Sequence, residues 1–323
     1  MTNDLRRPEP NFFVVGAARA GTTSIWQFLR QHPDVQMPST LKTKEPSYFA
    51  EYNPTWAPKF PDRDAYLELF KNAGEKKAIG EASPAYMLAP SCARRIFSAY
   101  PDARIIITLR QPARRAFSLY RLMCTWGLEW LPTFERALDA EDARAADFEF
   151  QRRQPFWFPL YLYFRVSLYA SQVKQYLDVF PRQQIHVVLF EDLKRRPVET
   201  TQEIFRFLGV DPTFEPAVNT HNESFMPAST RVQHMLADRW RMHPLFAGRR
   251  PAGQRQSFVH RKMIPILFGC NLLAGRWLKN TLDPGTERRL LERYRSDIEL
   301  TGTLIGRDLG LWLEPPQDPG RAA

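Results

Sequence analysis

The stretch Asn11 to Gln31, NFFVVGAARAGTTSIWQFLRQ, constrains the fold more tightly than any other part of the chain. Phe12, Phe13, Val14 and Val15 read as a buried strand, and Gly16 to Gly21 as a turn of small residues. From Thr22 onward Ile25, Phe28 and Leu29 recur with a helical period. A strand, a glycine-bounded turn and a helix start together aim backbone N–H groups at an anion. The nucleoside-triphosphatase form of this loop, G-x-x-x-x-G-K-[ST], places a lysine on the β/γ-phosphates and a hydroxyl on magnesium. Here Gly16 and Gly21 keep that spacing, but Thr22 stands where the lysine belongs and Arg19 is the only cation in the loop. The pattern argues for an anion cradle that does not run on Mg-ATP. Taken alone, it also fits a glycine turn before an ordinary helix.

The rest of the first 210 residues alternates strands with helices. A short strand is expected at Val35–Met37 after His32-Pro33 ends the first helix. Lys42–Pro61 reads as a loop, Ala78–Glu81 as a strand turning at Ser83-Pro84, and Pro90–Tyr100 as a helix with Pro90 in its first position. Further strands are expected at Ala103–Leu109 and Ile185–Phe190, and helices at Pro112–Thr125, Leu168–Phe180 and Pro197–Leu208. Such alternation predicts an α/β fold, a phosphate-loop-like parallel sheet covered by helices on both faces. The chain is expected to form a single domain with an α/β core over 11–210, a helical C-terminal region over 211–315 and a disordered tail at 316–323. Near the C-terminus Thr286–Leu309 reads as a helix with Leu290, Tyr294, Ile298, Leu304 and Leu309 in its core.

A second motif follows the Ala103–Leu109 strand. Arg110 ends the strand, and Arg114, Ser118 and Arg121 share one face of the next helix. Ligands of open α/β sheets bind outside the strand ends, so Arg110 and Ser118 are expected to converge on one anion. The alternative for these arginines is a surface salt-bridge role.

The loop Arg19-Ala20-Gly21-Thr22-Thr23 resembles the 5'-phosphosulfate loop of sulfotransferases, in which Lys or Arg precedes a small residue and Gly-Thr-Thr. The segment from Arg110 to Ser118 is similar to that family's 3'-phosphate motif, and the two occur in the family's order. Lys44-Glu45-Pro46-Ser47-Tyr48-Phe49 and Gly80-Glu81-Ala82-Ser83-Pro84-Ala85-Tyr86 resemble segments of the heparan-type and related bacterial branch. The block Tyr169–Leu208 resembles the second half of the family's sheet, so the resemblance covers roughly 11–210. In the second of the heparan-type segments Ala82 departs from the family's lysine, which weighs against a glycosaminoglycan acceptor.

This resemblance implies a sulfotransferase using 3'-phosphoadenosine 5'-phosphosulfate (PAPS), with no metal. Arg19, Ala20, Gly21, Thr22, Thr23 and Ser24 are then expected around the 5'-phosphosulfate, and Arg110 and Ser118 on the 3'-phosphate. Glu45 is the expected general base toward a hydroxyl or amine of a carbohydrate, lipid or small molecule. Read from its neighbours alone, Glu45 is equally an exposed glutamate paired with Lys42 or Lys44. His221 is the alternative base, since histidine serves in the cytosolic branch of the family; His32 reads as a helix-end residue and His186 as a strand residue. Two other classes are a phosphate-loop nucleotide kinase, which would want the missing lysine, and a non-catalytic nucleotide or membrane-surface binder.

Composition adds bounds to these readings. The 323 residues are 44% hydrophobic, ample for a sizeable core, and carry a net charge of +10. That charge suits a polyanionic donor, a nucleic acid, an acidic membrane, or merely an arginine-rich solvated surface; no nucleic-acid partner is expected. Cys92, Cys124 and Cys270 are odd in number and far apart, which suits a reducing compartment. The polar N-terminus shows no signal peptide and no apolar run is long enough to span a bilayer, so a bacterial, cytoplasmic enzyme is expected. Aromatics crowd 154–164 and are expected to wall an acceptor pocket, form an oligomer interface or pack in the core. Met263–Leu278 is apolar and flanked by Arg261, Lys262 and Lys279; it reads as a buried helix or as a peripheral membrane contact spanning 261–279.

Overall fold

The computed structural model describes residues 7–41, 43–50, 60, 62–154, 158–218, 226–240, 263–275 and 281–314. Its first part runs β1 (Phe12–Gly16), α1 (Thr22–Leu29), β2 (Val35–Gln36), α2 (Arg63–Leu67), β3 (Ala78–Ala82), α3 (Cys92–Ala99) and β4 (Arg104–Leu109). Then follow α4 (Pro112–Thr125), α5 (Phe134–Asp139), α6 (Glu141–Ala146), α7 (Phe148–Arg153), α8 (Ala170–Leu177), β5 (Ile185–Leu189), α9 (Phe190–Arg195) and α10 (Pro197–Leu208). The C-terminal part holds α11 (Thr230–Trp240), α12 (Ile264–Gly275) and α13 (Pro284–Ile305). The chain divides into two compact units, one of Met1–Gln111, Leu168–His221 and Ser296–Leu309, the other of Pro112–Ser167, Asn222–Arg295 and Gly310–Ala323.

The first unit carries the sheet. All its pairings are parallel, in the order β2-β3-β1-β4-β5. This is the α/β architecture with a helical C-terminal region that the strand–helix alternation predicts. Because side chains alternate across a strand, Phe12 and Val14 point to one face of β1 and Phe13 to the other. Phe12 and Val14 join Ile25, Leu29, Ile106, Val188, Ile204 and Phe205 in one buried cluster. Phe13 meets Phe49 and Tyr100, each with ring centroids at 5.8 Å. With both faces covered, β1 and β4 lie at the centre of the sheet, where the strand order switches direction, the place at which open α/β sheets open their ligand crevice.

Several boundaries differ from expectation. Pro90 lies before α3, in a turn closed by Cys92 N–H donating to Ala89 O at 3.1 Å, which suits a proline's fixed φ as well as a first helical turn does. The β5 strand ends at Leu189 because Phe190 already opens α9, and α8 is shorter than 168–180 at both ends. Helix α13 starts at Pro284 rather than Thr286, with Asp283 accepting from Thr286 N–H at 2.7 Å. It stops at Ile305, where Gly306 takes φ 68°, a left-handed stop that glycine adopts without strain. Leu290, Tyr294, Ile298 and Leu309 are buried as expected, but Ile305 rather than Leu304 fills the last core position, and Leu309 reaches the core from beyond the helix. His32 is indeed a helix-end residue: Asp34 N–H donates to its Nδ1 at 3.0 Å, so its Nε2–H donates to Asp211 O, also at 3.0 Å.

The His186 side chain on β5 stacks on Phe207 at 5.2 Å. Burial, reinforced by the charges of Arg182 and Arg307, pushes its imidazole down from 6.5 to about 4. Between pH 6.5 and about 4 the folded chain therefore holds it neutral while the unfolded chain protonates it. The stability this contributes is complete above pH 6.5 and is lost as pH falls through 4. His186→Gln should reduce the stability lost between pH 6.5 and 4 by on the order of 2 kcal/mol, read as the difference between urea unfolding curves. Parallel pH profiles for the two proteins would contradict this.

Gly21, between β1 and α1, has φ 93°. A methyl group there would stand 3.0 Å from Leu193 Cδ2 and 3.1 Å from Phe190 Cδ2. Gly21→Ala should therefore cost about 2 kcal/mol of stability through a left-handed alanine pressed on α9. A melting temperature unchanged by the substitution would sink this account.

Candidate functional site

The loop between β1 and α1 is held from beneath by β4. Ala17 N–H donates to Thr108 O at 2.6 Å, and Thr108 Oγ1 donates to Gly16 O at 2.9 Å. Within the loop Ala20 N–H returns to Ala17 O at 3.2 Å. Arg19 takes φ 68°, a left-handed conformation costing a non-glycine residue about 1 kcal/mol, the kind of local strain that gathers at functional turns. Ala20 and Thr22 are buried, while Arg19, Gly21, Thr23 and Ser24 are partly exposed. No side chain caps α1 and its first turn holds no acid. The amides at its start thus face an environment whose sign favours an anion.

Arg110 stands at the end of β4 beside this loop. Its Nη1 donates to Arg19 O at 3.2 Å, and its guanidinium lies 4.6 Å from the centre of the Phe190 ring. Two further bonds hold the strand end: Tyr169 Oη donates to Arg110 O at 2.9 Å, and Gln111 N–H donates to Glu191 Oε1 at 3.1 Å. The fold therefore brings Arg19 and Arg110, 91 residues apart, into hydrogen-bond contact at the α1 start. Glu191 and Phe190 went unsingled in the sequence, where they are only part of a strand-to-helix junction. Their spacing carries no signal until β5 lies beside β4.

Ser118, the other expected 3'-phosphate residue, is partly buried on α4 and belongs to the second unit, whereas Arg110 belongs to the first. Of its helical neighbours, Arg114 takes the salt-bridge role, its Nε donating to Glu287 Oε1 at 2.7 Å. Arg121 lies 6.0 Å from the Phe117 ring centre.

Glu45 sits in the segment 43–50. Lys44 Nζ donates to its Oε1 at 2.7 Å; the lysine side chain is 2% exposed and the glutamate 49%. The pairing with Lys44 that its neighbours suggest is thus present, and it orients a carboxylate that still reaches solvent. What holds this segment is a buried cluster around Glu81. Glu81 Oε1 accepts from Tyr66 Oη at 2.9 Å and from Tyr86 Oη at 2.7 Å, and Ser83 Oγ donates to Oε2. Ser83 Oγ in turn accepts from Ser47 N–H at 2.9 Å, Tyr86 Oη accepts from Phe49 N–H at 3.4 Å, and Ala82 N–H donates to Lys44 O at 3.4 Å. Burial and the Glu81 charge push both phenols well above the ordinary tyrosine range, so they act as fixed donors. A fully buried carboxylate survives here because hydroxyls solvate it. Its sequence signal was the Gly-Glu-Ala-Ser-Pro turn, legible as a motif but not as an anchor.

His221 and Lys42 lie outside the described residues, as do 155–157 of the aromatic run. Within that run Tyr161 and Tyr163 are buried, and Tyr163 Oη donates to the buried Glu129, which is also paired with Arg144 at 2.7 Å; these residues pack the second unit's interior.

A profile of the sulfotransferase domain matches residues 9–238. A crystal structure of a sulfotransferase from Alicyclobacillus acidocaldarius is 30% identical and superposes with a TM-score of 0.67, covering 95% of this chain and all of that one. The human heparan sulfate glucosamine 3-O-sulfotransferase 6 is 28% identical over 210 residues, which cover 64% of this chain and 54% of that protein. The membrane-associated sulfotransferase kil1 of Dictyostelium discoideum is 24% identical over 276 residues, covering 62% and 56%. The chain thus spans about half the length of these two relatives. With the loop, the strand-end arginine and the domain match in agreement, the chain belongs to the sulfotransferase family.

Proposed function

We propose that this sulfotransferase takes its sulfuryl group from PAPS and delivers it to a hydroxyl or amine, with a carbohydrate hydroxyl as the first acceptor class to test. The observation that carries the donor assignment is the contact of Arg19 with Arg110 at the start of α1, which no side chain caps. Amides of Ala20 to Ser24 hold the 5'-phosphosulfate, Arg19 lies by the bridging oxygen, and Arg110 reads the 3'-phosphate. The motif match also assigns Ser118 to that phosphate. The acceptor oxygen or nitrogen attacks sulfur, the bond from sulfur to the bridging oxygen breaks, and adenosine 3',5'-bisphosphate leaves. Glu45, oriented by Lys44, takes the acceptor's proton. The residues' work is positioning and stabilising charge on the leaving oxygen. The acceptor class is supported by the heparan sulfate relative named above and opposed by Ala82, where similar enzymes carry lysine. Mass spectrometry for products that gain a sulfuryl group from PAPS, run on glycan, lipid and small-molecule pools, decides among them.

Adenosine 3',5'-bisphosphate should raise the melting temperature, and Mg-ATP much less, because only the former presents a 3'-phosphate to Arg110. Arg110→Ala should erase most of that difference. Equal stabilisation by both nucleotides, or a need for magnesium, would favour a nucleotide kinase instead.

Glu45→Gln should keep nucleotide binding while turnover falls by roughly 10²–10⁴-fold, and the residual activity should lose the acidic limb of its pH profile. His221→Ala is the parallel variant. An active glutamine variant beside an inactive alanine variant would move the base to His221.

A further inference from the structure

Helix α12 is turned inside out. Its only polar side chain, Asn271, faces the protein: its Nδ2 donates to Ser229 O at 2.9 Å and to Gln233 Oε1 at 2.7 Å, and its Oδ1 accepts from Ser229 N–H at 3.1 Å. Gln233, fully buried, passes the chain of bonds on to Thr125 O at 3.1 Å. Gly275 seals the same side, since a Cβ there would collide with Met226 O, so no larger residue lets the helix seat so closely.

The opposite side is apolar and open. Met263, Ile266, Leu267, Cys270 and Leu273 recur at spacings of three and four residues, which is one helical stripe. Ile266 is 63% exposed and Leu273 65%, with Met263 and Leu267 at 49%. On α11, Val232 and Met235 are exposed as well. Water is a poor solvent for such a stripe, and burying it is the largest favourable change available to this surface.

Charge in the sequence says what covers it. Between Asp238 and Asp283 there is no acidic residue, while nine lysines and arginines occur. Arg261 and Lys262 stand immediately before the helix, and Arg276 and Lys279 follow it closely. An apolar stripe with basic residues at both ends matches an apolar layer beneath anionic headgroups. The 12-residue helix is about 18 Å long, against about 30 Å for a bilayer's hydrocarbon core, so it lies along the surface. Among the described residues no helix is long and apolar enough to cross a membrane. We infer that the exposed face of α12 docks the enzyme on an anionic lipid bilayer.

The test uses the full chain with vesicles of phosphatidylcholine, alone or mixed with phosphatidylglycerol. The protein should sediment with the anionic vesicles at low salt and be released by high salt, with little binding to neutral ones. Ile266→Asp with Leu273→Asp should weaken that binding by roughly tenfold or more at an unchanged melting temperature. A second readout needs no variant. Cys270 lies on the stripe, whereas Cys92 and Cys124 are buried, so anionic vesicles should slow its labelling by a water-soluble maleimide. The proposal is overturned by equal binding to neutral vesicles, by labelling that anionic vesicles do not slow, or by no sedimentation at low salt. It is also overturned by a wild-type dimer that the double variant dissolves, which would make a second copy the occupant.

Discussion

The hydrogen bonds between β1 and β4 are the constraint on which the candidate site rests. Thr108 binds Gly16 O through its hydroxyl and Ala17 N–H through its carbonyl. These two bonds set the height of the loop at the strand ends, and with it the α1 start. The same register puts Arg110 one residue past β4, where it reaches Arg19 O. Phe190 shares the load by presenting its ring face to Arg110, and together with Leu193 it leaves no room for a side chain at Gly21. Sheet geometry, loop conformation and charge are therefore one arrangement.

The segment that carries Glu45, the candidate base, depends on a buried charge. Glu81 lies at the end of β3 with no exposure, and its hydroxyl donors come from 15 residues upstream and from two and five residues downstream. Two of those donors, Ser83 and Tyr86, also accept backbone N–H groups of the segment that carries Glu45. Replacing one member leaves the others' polar groups buried without partners, which costs more than the single bond is worth. The segment 43–50 has neither helix nor strand to stiffen it. Its order comes from this cluster and from Phe49, which packs against Phe13, Tyr66, Tyr86 and Tyr100.

The helical C-terminal region obeys a different logic. In the sheet, apolar residues are inside and ionised groups are solvated or bonded. In α12 the polar residue points inward and the apolar stripe outward. A 12-residue apolar stretch reads equally well as a core helix or a surface one, because periodicity shows which residues share a face but not which face is covered.

The sequence by itself determined the parallel α/β fold. Short β-branched runs alternating with amphipathic stretches leave few ways to bury both faces of every strand, and β1, α1, α4 and α10 begin or end at the residues their patterns mark. It also marked the turn between β1 and α1, where Gly16, Arg19 and Gly21 take positive φ, because such conformational requirements are local. What only the tertiary structure decided is which distant groups meet. Arg110 and Arg19, Glu191 and the Gln111 amide, and the hydroxyls around Glu81 are joined by strand order and register, which no window of a dozen residues encodes. The same holds for helix ends such as Ile305, where one glycine outweighs the apolar period, and for the open face of α12, because exposure is a property of what packs against a residue and not of the residue.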